Sequence, residues 1–249
     1  MPFDLPASLV LVTLTFLLAG FVKGVVGLGL PTIAMGLLSL AMAPAQAAAL
    51  LIVPSLVTNV WQLGAGSRVS TLLRRLWPMQ AGVVLGTVSS AGVLQSQEAG
   101  LASAGLGVAL VIYAGLGLSA PRVHVPAPTE RWLGPVVGVA TGLVTGMTGV
   151  FVIPAVPYLA ALGFSRDELI QALGLSFTVS TVALAFALAG GGSLGVGAAT
   201  ASLLTLIPAL AGMMVGGWVR GRISEGAFRR CFFLSLLALG FYLALRKLV

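Results

Sequence analysis

Lys23 is the one basic side chain that lies inside an apolar run of this 249-residue chain. A charge within hydrocarbon is costly, and such residues mark ion paths by default. The bland alternative is a lysine that snorkels to an interface. Two polar stripes accompany it at helical spacing: Ser55, Asn59 and Gln62, and Gln171, Gly174, Thr178 and Thr181. Such stripes bond neighbouring helices or line a cavity. In a cavity, neutral amides and hydroxyls would complete the coordination of an oxyanion beside a lysine. Glycines supply the third ingredient. Gly20, Gly24, Gly27 and Gly29 precede Pro31, while Gly142, Gly146 and Gly149, with Thr148 among them, precede Pro154. The spacing allows close helix packing, and the prolines that follow point to helix breaks at Gly27, Gly29 and Gly149. Broken helix ends present unpaired N–H groups and a positive dipole, which suit a small anion.

Other chemistries find no residues. His124 is the sole histidine and sits in a proline-rich stretch, and Cys231 is the sole cysteine. A histidine dyad, a metal site or an internal disulfide is therefore not expected. The six acids (Asp4, Glu98, Glu130, Asp167, Glu168 and Glu225) fall at ends or loops, which argues against a carboxylate proton relay deep in a bilayer. Neither a nucleophile elbow nor a phosphate-binding loop occurs. The expectation is a protein that is not an enzyme and carries no cofactor.

The elements that would position these groups are membrane helices. Apolar types make up 58% of the chain and charged types 8%, where a soluble domain would carry roughly a quarter. Mean hydropathy is +1.10. Apolar elements are expected at about 7–28, 30–43, 45–65, 76–95, 100–119, 132–149, 151–163, 167–189, 194–219 and 228–246. A span needs about 20 apolar residues, so the second and seventh are too short to cross straight. Trp61, Trp77, Trp132 and Trp218 lie near span ends, as interfacial anchors would. Ser165 followed by Glu168 reads as a capping box with a solvated charge cluster, including Arg166 and Asp167, at a helix start. The start of the chain lacks the positive region of a secretory signal, so the first apolar run is expected to stay in the membrane. The net charge of +7 reflects orienting loops rather than nucleic-acid binding.

The two halves resemble each other. A shift of 142 − 20 = 122 carries Gly20, Gly24 and Gly27 onto Gly142, Gly146 and Gly149, and Leu51 and Val57 onto Leu173 and Val179. Further on, Gly82 and Gly86 fall on Gly212 and Gly216 at an offset of 130. Under the first shift Asn59 corresponds to Thr181, and Lys23 to Thr145. Arginines settle the orientation. The loop after the third element carries Arg68, Arg74 and Arg75 and its counterpart, 190–193, carries no charge. The loop after the fourth reverses this, with Gln95 to Glu98 in the first half and Arg220, Arg222, Arg229 and Arg230 in the second. Lys/Arg-rich loops stay cytoplasmic, so the halves enter the membrane upside down relative to one another. The reading is an all-α polytopic bundle of two inverted-topology repeats, 1–119 and 132–249, with interrupted or re-entrant hairpins. A cytoplasmic linker at 120–131 joins them, with Arg122 and Arg131. Arg246 and Lys247 would then lie outside, against the rule.

The stretches GFVKGVVGLGLP at 20–31 and GLVTGMTGVFVIP at 142–154, with the helices that follow at 47–59 and 169–181, are similar to the paired signatures of the sulfite exporter TauE/SafE family. The resemblance runs over nearly the whole chain. Where family members often carry a glycine triplet, this chain has Leu28, Gly29 and Leu30, and Val150, Phe151 and Val152. The resemblance implies a bacterial inner-membrane transporter of small sulfur-containing anions such as sulfite, sulfoacetate or other organosulfonates. Interrupted inverted repeats suit secondary transport by alternating access, and export is the expected direction. A passive anion channel, or a non-transporting subunit of a larger complex, would use the same architecture. Candidate binding residues are Lys23, Gly24, Gly27, Gly29, Ser55, Asn59, Gln62, Gly146, Thr148, Gly149, Gln171, Thr178 and Thr181. Expected partners are the anion, the lipid bilayer and a coupling ion, proton or sodium. Gly-rich outer faces would permit a homodimer.

Overall fold

A computed structural model describes residues 5–96, 99–119 and 124–245, with the side chains of 5–7, 99 and 225 outside the description. Asp4, Glu98, Arg122, Arg246 and Lys247 lie outside the described residues. Among the described residues the chain forms ten α-helices and no strand: α1 (Leu5–Val26), α2 (Leu30–Leu38), α3 (Pro44–Gly64), α4 (Val69–Gln95), α5 (Ala99–Ser119), α6 (Ala127–Thr148), α7 (Ala155–Ala161), α8 (Arg166–Gly190), α9 (Val196–Arg220) and α10 (Glu225–Leu245). Six of them, all but α2, α4, α6 and α7, are long and apolar enough to cross a bilayer. At 27 and 22 residues, α4 and α6 have spanning length too.

Local chemistry sets the boundaries. Gly27 and Gly29 take φ of 86° and 110°, a region that glycine enters freely, and Pro31 then opens α2. Gly149, at φ 72°, ends α6. Val150, Phe151, Val152 and Ile153 follow as buried non-helical chain before α7. Both short helices come out shorter than the apolar runs at 30–43 and 151–163 that contain them, because turn residues occupy the remainder. The helix α6 takes in 127–131, so the connector between the halves is shorter than the sequence pattern suggests. Pro126 at its N-cap and Pro128 inside its first turn fit a helix start, where N–H groups have no acceptor within the helix. Likewise α4 reaches back to Val69 and includes Arg74 and Arg75.

Helix bounds repeat along the chain. Adding 122 to the bounds of α1 gives those of α6, 127–148; adding 126 to those of α5 gives α10, 225–245. The principal packing partners are α4 with α6, α1 with α9, α5 with α10, and α3 with α8. Exchanging the halves turns α1–α9 into α6–α4 and leaves the other two pairs unchanged. Most of the packing therefore lies between halves rather than within them. Glycines make the first two contacts possible. A Cβ on Gly20, Gly24, Gly212 or Gly216 would collide with backbone across the α1–α9 contact, and one on Gly82, Gly86, Gly138 or Gly142 with backbone across α4–α6. The pairings Gly20–Ala209 and Gly24–Met213 run parallel, as do Gly138–Met79 and Gly146–Thr87. By contrast α3 and α8 run antiparallel, since Gln62 meets Ile170 while Asn59 meets Thr181. So do α5 and α10: Gly107 lies against Ala244, and Gly117 against Phe233.

The bundle has a charged and an uncharged end. At the charged end Arg75 holds Glu130 through two hydrogen bonds of 2.8 Å, donates to the Leu162 carbonyl at 3.3 Å and stacks on Phe164. Arg68 faces Glu168 at 3.7 Å. At the other end Ser193 donates to Gln95, which in turn donates to the Ala187 carbonyl. On the short helices α2 and α7, Leu30, Ala34, Met35, Leu38, Ala155 and Leu159 are fully buried.

Candidate functional site

Three helices meet around one polar chain. Lys23, in the last turn of α1 and 5% exposed, donates to Thr58 Oγ1 at 3.0 Å and to Asn59 Oδ1 on α3. Asn59 Nδ2 donates to Thr181 Oγ1 on α8 at 3.3 Å, and Thr181 donates to its own Phe177 carbonyl. Every partner is neutral. Among the described residues the ion pairs are Arg68–Glu168 and Arg75–Glu130, both at the charged end, so the Lys23 side chain has no carboxylate beside it. Of its three N–H donors two are used, and one of the two on Asn59 is used.

Pro54 explains why α3 can present this face. Proline has no N–H, so the Leu50 carbonyl loses its helical partner. Inside a membrane that acceptor must be satisfied by protein. Ser202 and Thr205 of α9 donate to it at 2.9 and 3.0 Å, and Ser202 Oγ also accepts from Val53 N. The helix is thus pinned to α9 one turn before Thr58 and Asn59.

The structure joins Lys23, Asn59 and Thr181 by hydrogen bonds. Ser55, one turn before Asn59, is 1% exposed and its hydroxyl has no hydrogen-bond partner. Gln62 and Gln171 form a reciprocal clasp, Gln62 Nε2 to the Ile170 carbonyl at 3.1 Å and Gln171 Nε2 to the Leu63 carbonyl at 2.8 Å. Gln171 Oε1 also accepts from Arg68 N. Both amides line a cleft of about 530 Å³ at the charged end, with Arg68, Asp167 and Glu168. Thr178 donates to the Gly174 carbonyl of its own helix. Gly24 and Gly146 pack on neighbouring backbone, at α9 and α4 respectively. Gly27 N bonds the Lys23 carbonyl, so the first break begins one turn beyond the lysine. Gly29 faces Val22 and Phe232, Gly149 faces Met35, and Thr148 accepts from Val150 N. These last three belong to the breaks and have no hydrogen bond to the Lys23 chain.

Three further buried hydroxyl residues fall outside the stripes that the sequence spacing picks out, and of these Thr58 alone bonds the Lys23 chain. It neighbours Asn59 but falls off the stripe on a helical wheel. Ser176 and Ser180 on α8 are fully buried, with hydroxyls that have no partner. The signal for Ser180 was present, since 58 + 122 = 180 places it opposite Thr58. Thr145, the counterpart of Lys23, is buried and donates to the Thr141 carbonyl. The site is therefore asymmetric in charge although its scaffold repeats. The capping box at Ser165 and Glu168 is present as expected, and Trp61, Trp77, Trp132 and Trp218 are all well exposed on the outside of the bundle.

No curated protein and no solved structure matches the chain. A family model described as "Sulfite exporter TauE/SafE" matches residues 12–243, nearly the full length and both interrupted segments. With six helices able to cross a bilayer, that match completes the assignment: the chain belongs to the sulfite exporter TauE/SafE family and is a multi-pass helical membrane protein of transporter type.

Proposed function

We propose that the chain is a secondary transporter that exports small sulfur-containing anions, sulfite or organosulfonates such as sulfoacetate, across the bacterial inner membrane by alternating access. The observation that carries this reading is Lys23, buried at the α1–α3–α8 junction with neutral partners only. An ammonium there lacks a counter-charge that a bound oxyanion would supply. The anion would take the free N–H groups of Lys23 and Asn59, with Ser55 one turn away as a further donor.

Two features support the transport mode. Equivalent helices α3 and α8 cross antiparallel, as do α5 and α10; two bundles of opposite orientation in one membrane would pack in this way. The tightly packed pairs α1–α9 and α4–α6 would each move as one body, with the α3–α8 contact carrying the site between them. The charged end would face the cytoplasm, so the connector joining the halves would lie there.

Flux into proteoliposomes tests the proposal with sulfite, sulfoacetate, taurine and sulfate, each with and without imposed proton and sodium gradients. The expected result is saturable uptake of sulfite or sulfoacetate and exchange of internal for external anion. Linear, non-exchanging flux would make it a channel, and absence of both binding and flux would make it a non-transporting subunit.

A further inference from the structure

A second cation cluster lines a cleft at the end of α1 that Lys23 does not line. Arg166 opens α8, Arg220 ends α9 and Arg229 stands in the second turn of α10. All three line one cleft of about 340 Å³, together with Val25 and Val26 at the end of α1, Gly217, Gly221, Ile223 and Phe228. None of the three side chains takes part in an ion pair or a hydrogen bond among the described residues. This contrasts with their neighbours. Arg68 and Arg75 face carboxylates, and Arg222 stacks 3.5 Å over the Trp218 ring and donates to the Trp218 carbonyl. Arginines that only set topology need no shared cavity. Here three separate chain segments bring theirs to one concavity, and no carboxylate lines it. The acids nearest in sequence are Asp167 and Glu168, which line the other cleft, and Glu225, whose side chain lies outside the described ones.

The geometry points to a site for a phosphate group, distinct from the Lys23 site and independent of how Lys23 is read. Three guanidinium groups match the oxygens of a tetrahedral phosphate group, because each can give a forked pair of N–H bonds. Phosphate can come from solution or from a phospholipid headgroup. The apolar floor of Val25, Val26, Ile223 and Phe228, and the exposed Trp218 one residue from Gly217, place the cleft at the level where headgroups lie.

The test uses the full chain purified into nanodiscs of phosphatidylcholine alone or with phosphatidylglycerol. Lipid retention is read by native mass spectrometry, and inorganic phosphate is titrated against chloride at matched ionic strength with the thermal midpoint as readout. Retained phosphatidylglycerol identifies the headgroup as the source; a phosphate-dependent rise in midpoint identifies the free anion. Arg166→Gln, Arg220→Gln and Arg229→Gln should each weaken binding about fivefold, with the lysine variants losing less. Arg74→Gln and Arg230→Gln, on the same end of the bundle but outside the cleft, should leave it unchanged, as should Lys23→Ala. Equal losses in the cleft and control variants would reduce the effect to diffuse surface attraction and overturn the proposal. So would loss on Lys23→Ala alone, or no binding of either probe.

Discussion

At the scale of single residues, the proposed site centres on Lys23, held by an amide and a hydroxyl. Replacing Lys23 with methionine keeps the volume and removes the charge. Hydrogen bonds to charged groups are worth roughly 1.5–3 kcal/mol, so anion binding should weaken by about tenfold to a hundredfold, measured by ligand-dependent thermal shift and by flux. The anion-free protein should unfold at the same or a higher temperature, because an uncompensated buried charge costs stability. A parallel fall in yield and melting temperature would instead make Lys23 a folding residue. Asn59→Leu should weaken anion binding in the same assay, since it removes both an acceptor for Lys23 and a free donor. This core of the site was legible in the sequence, since a lone lysine in an apolar run and a polar stripe are both one-dimensional signals. Gln62 and Gln171 were legible only as polar and buried. That each caps a carbonyl on the other's helix depends on the α3–α8 crossing, which spacing does not encode. Gly24 and Gly146 show the opposite limit. They share the glycine signature of the breaks, yet each sits one residue beyond a polar side chain and faces backbone.

At the scale of elements, small residues fix which helices are neighbours. A methyl group on Gly142 would fall inside the contact with Val83 and Thr87, and one on Gly20 inside the contact with Ala209. Overpacking costs about 1–3 kcal/mol, so Gly142→Ala and Gly20→Ala should lower the thermal midpoint and the yield. Gly92→Ala meets no neighbouring atom on α4 and should be neutral or stabilising by up to about 1 kcal/mol. Equal effects at all three would remove the close-packing argument. The proline in α3 makes a second case. Ser202→Ala combined with Thr205→Val leaves the Leu50 carbonyl without its two donors. Membrane hydrogen bonds average about 0.6 kcal/mol, so the double variant should lose more stability than either single variant, by an amount near that scale. Long helices were legible from apolar runs, because hydrocarbon thickness dictates their length. The ends of α2 and α7 were not, since 39–43 and 150–153 are as apolar as a helix and are non-helical only because turns and neighbouring helices demand it.

For the whole molecule, the arginines and tryptophans together define a face. Trp61 lies near the end of α3, Trp77 and Trp132 near the starts of α4 and α6, and Trp218 near the end of α9. Antiparallel α3–α8 and parallel α1–α9 and α4–α6 bring these four helix ends to the side that holds the Arg68–Glu168 and Arg75–Glu130 pairs. The side marked by Gln95 and Ser193 has neither residue type in its described connectors. Such a one-sided distribution is what the positive-inside bias produces when two similar bundles are inserted in opposite senses, because each equivalent loop then needs charge in only one half. Cysteine labelling separates this from a same-sense arrangement. On a Cys231→Ser background, Ser67→Cys and Ser224→Cys should resist a membrane-impermeant maleimide in intact spheroplasts and react in inverted vesicles, while Ser96→Cys does the reverse. These serines are exposed in connectors or at helix ends, so their reactivity reports side rather than burial. If Ser67→Cys and Ser224→Cys label from opposite sides, the two halves share one orientation, and α3 and α8 could not bring Asn59 and Thr181 together across an antiparallel contact.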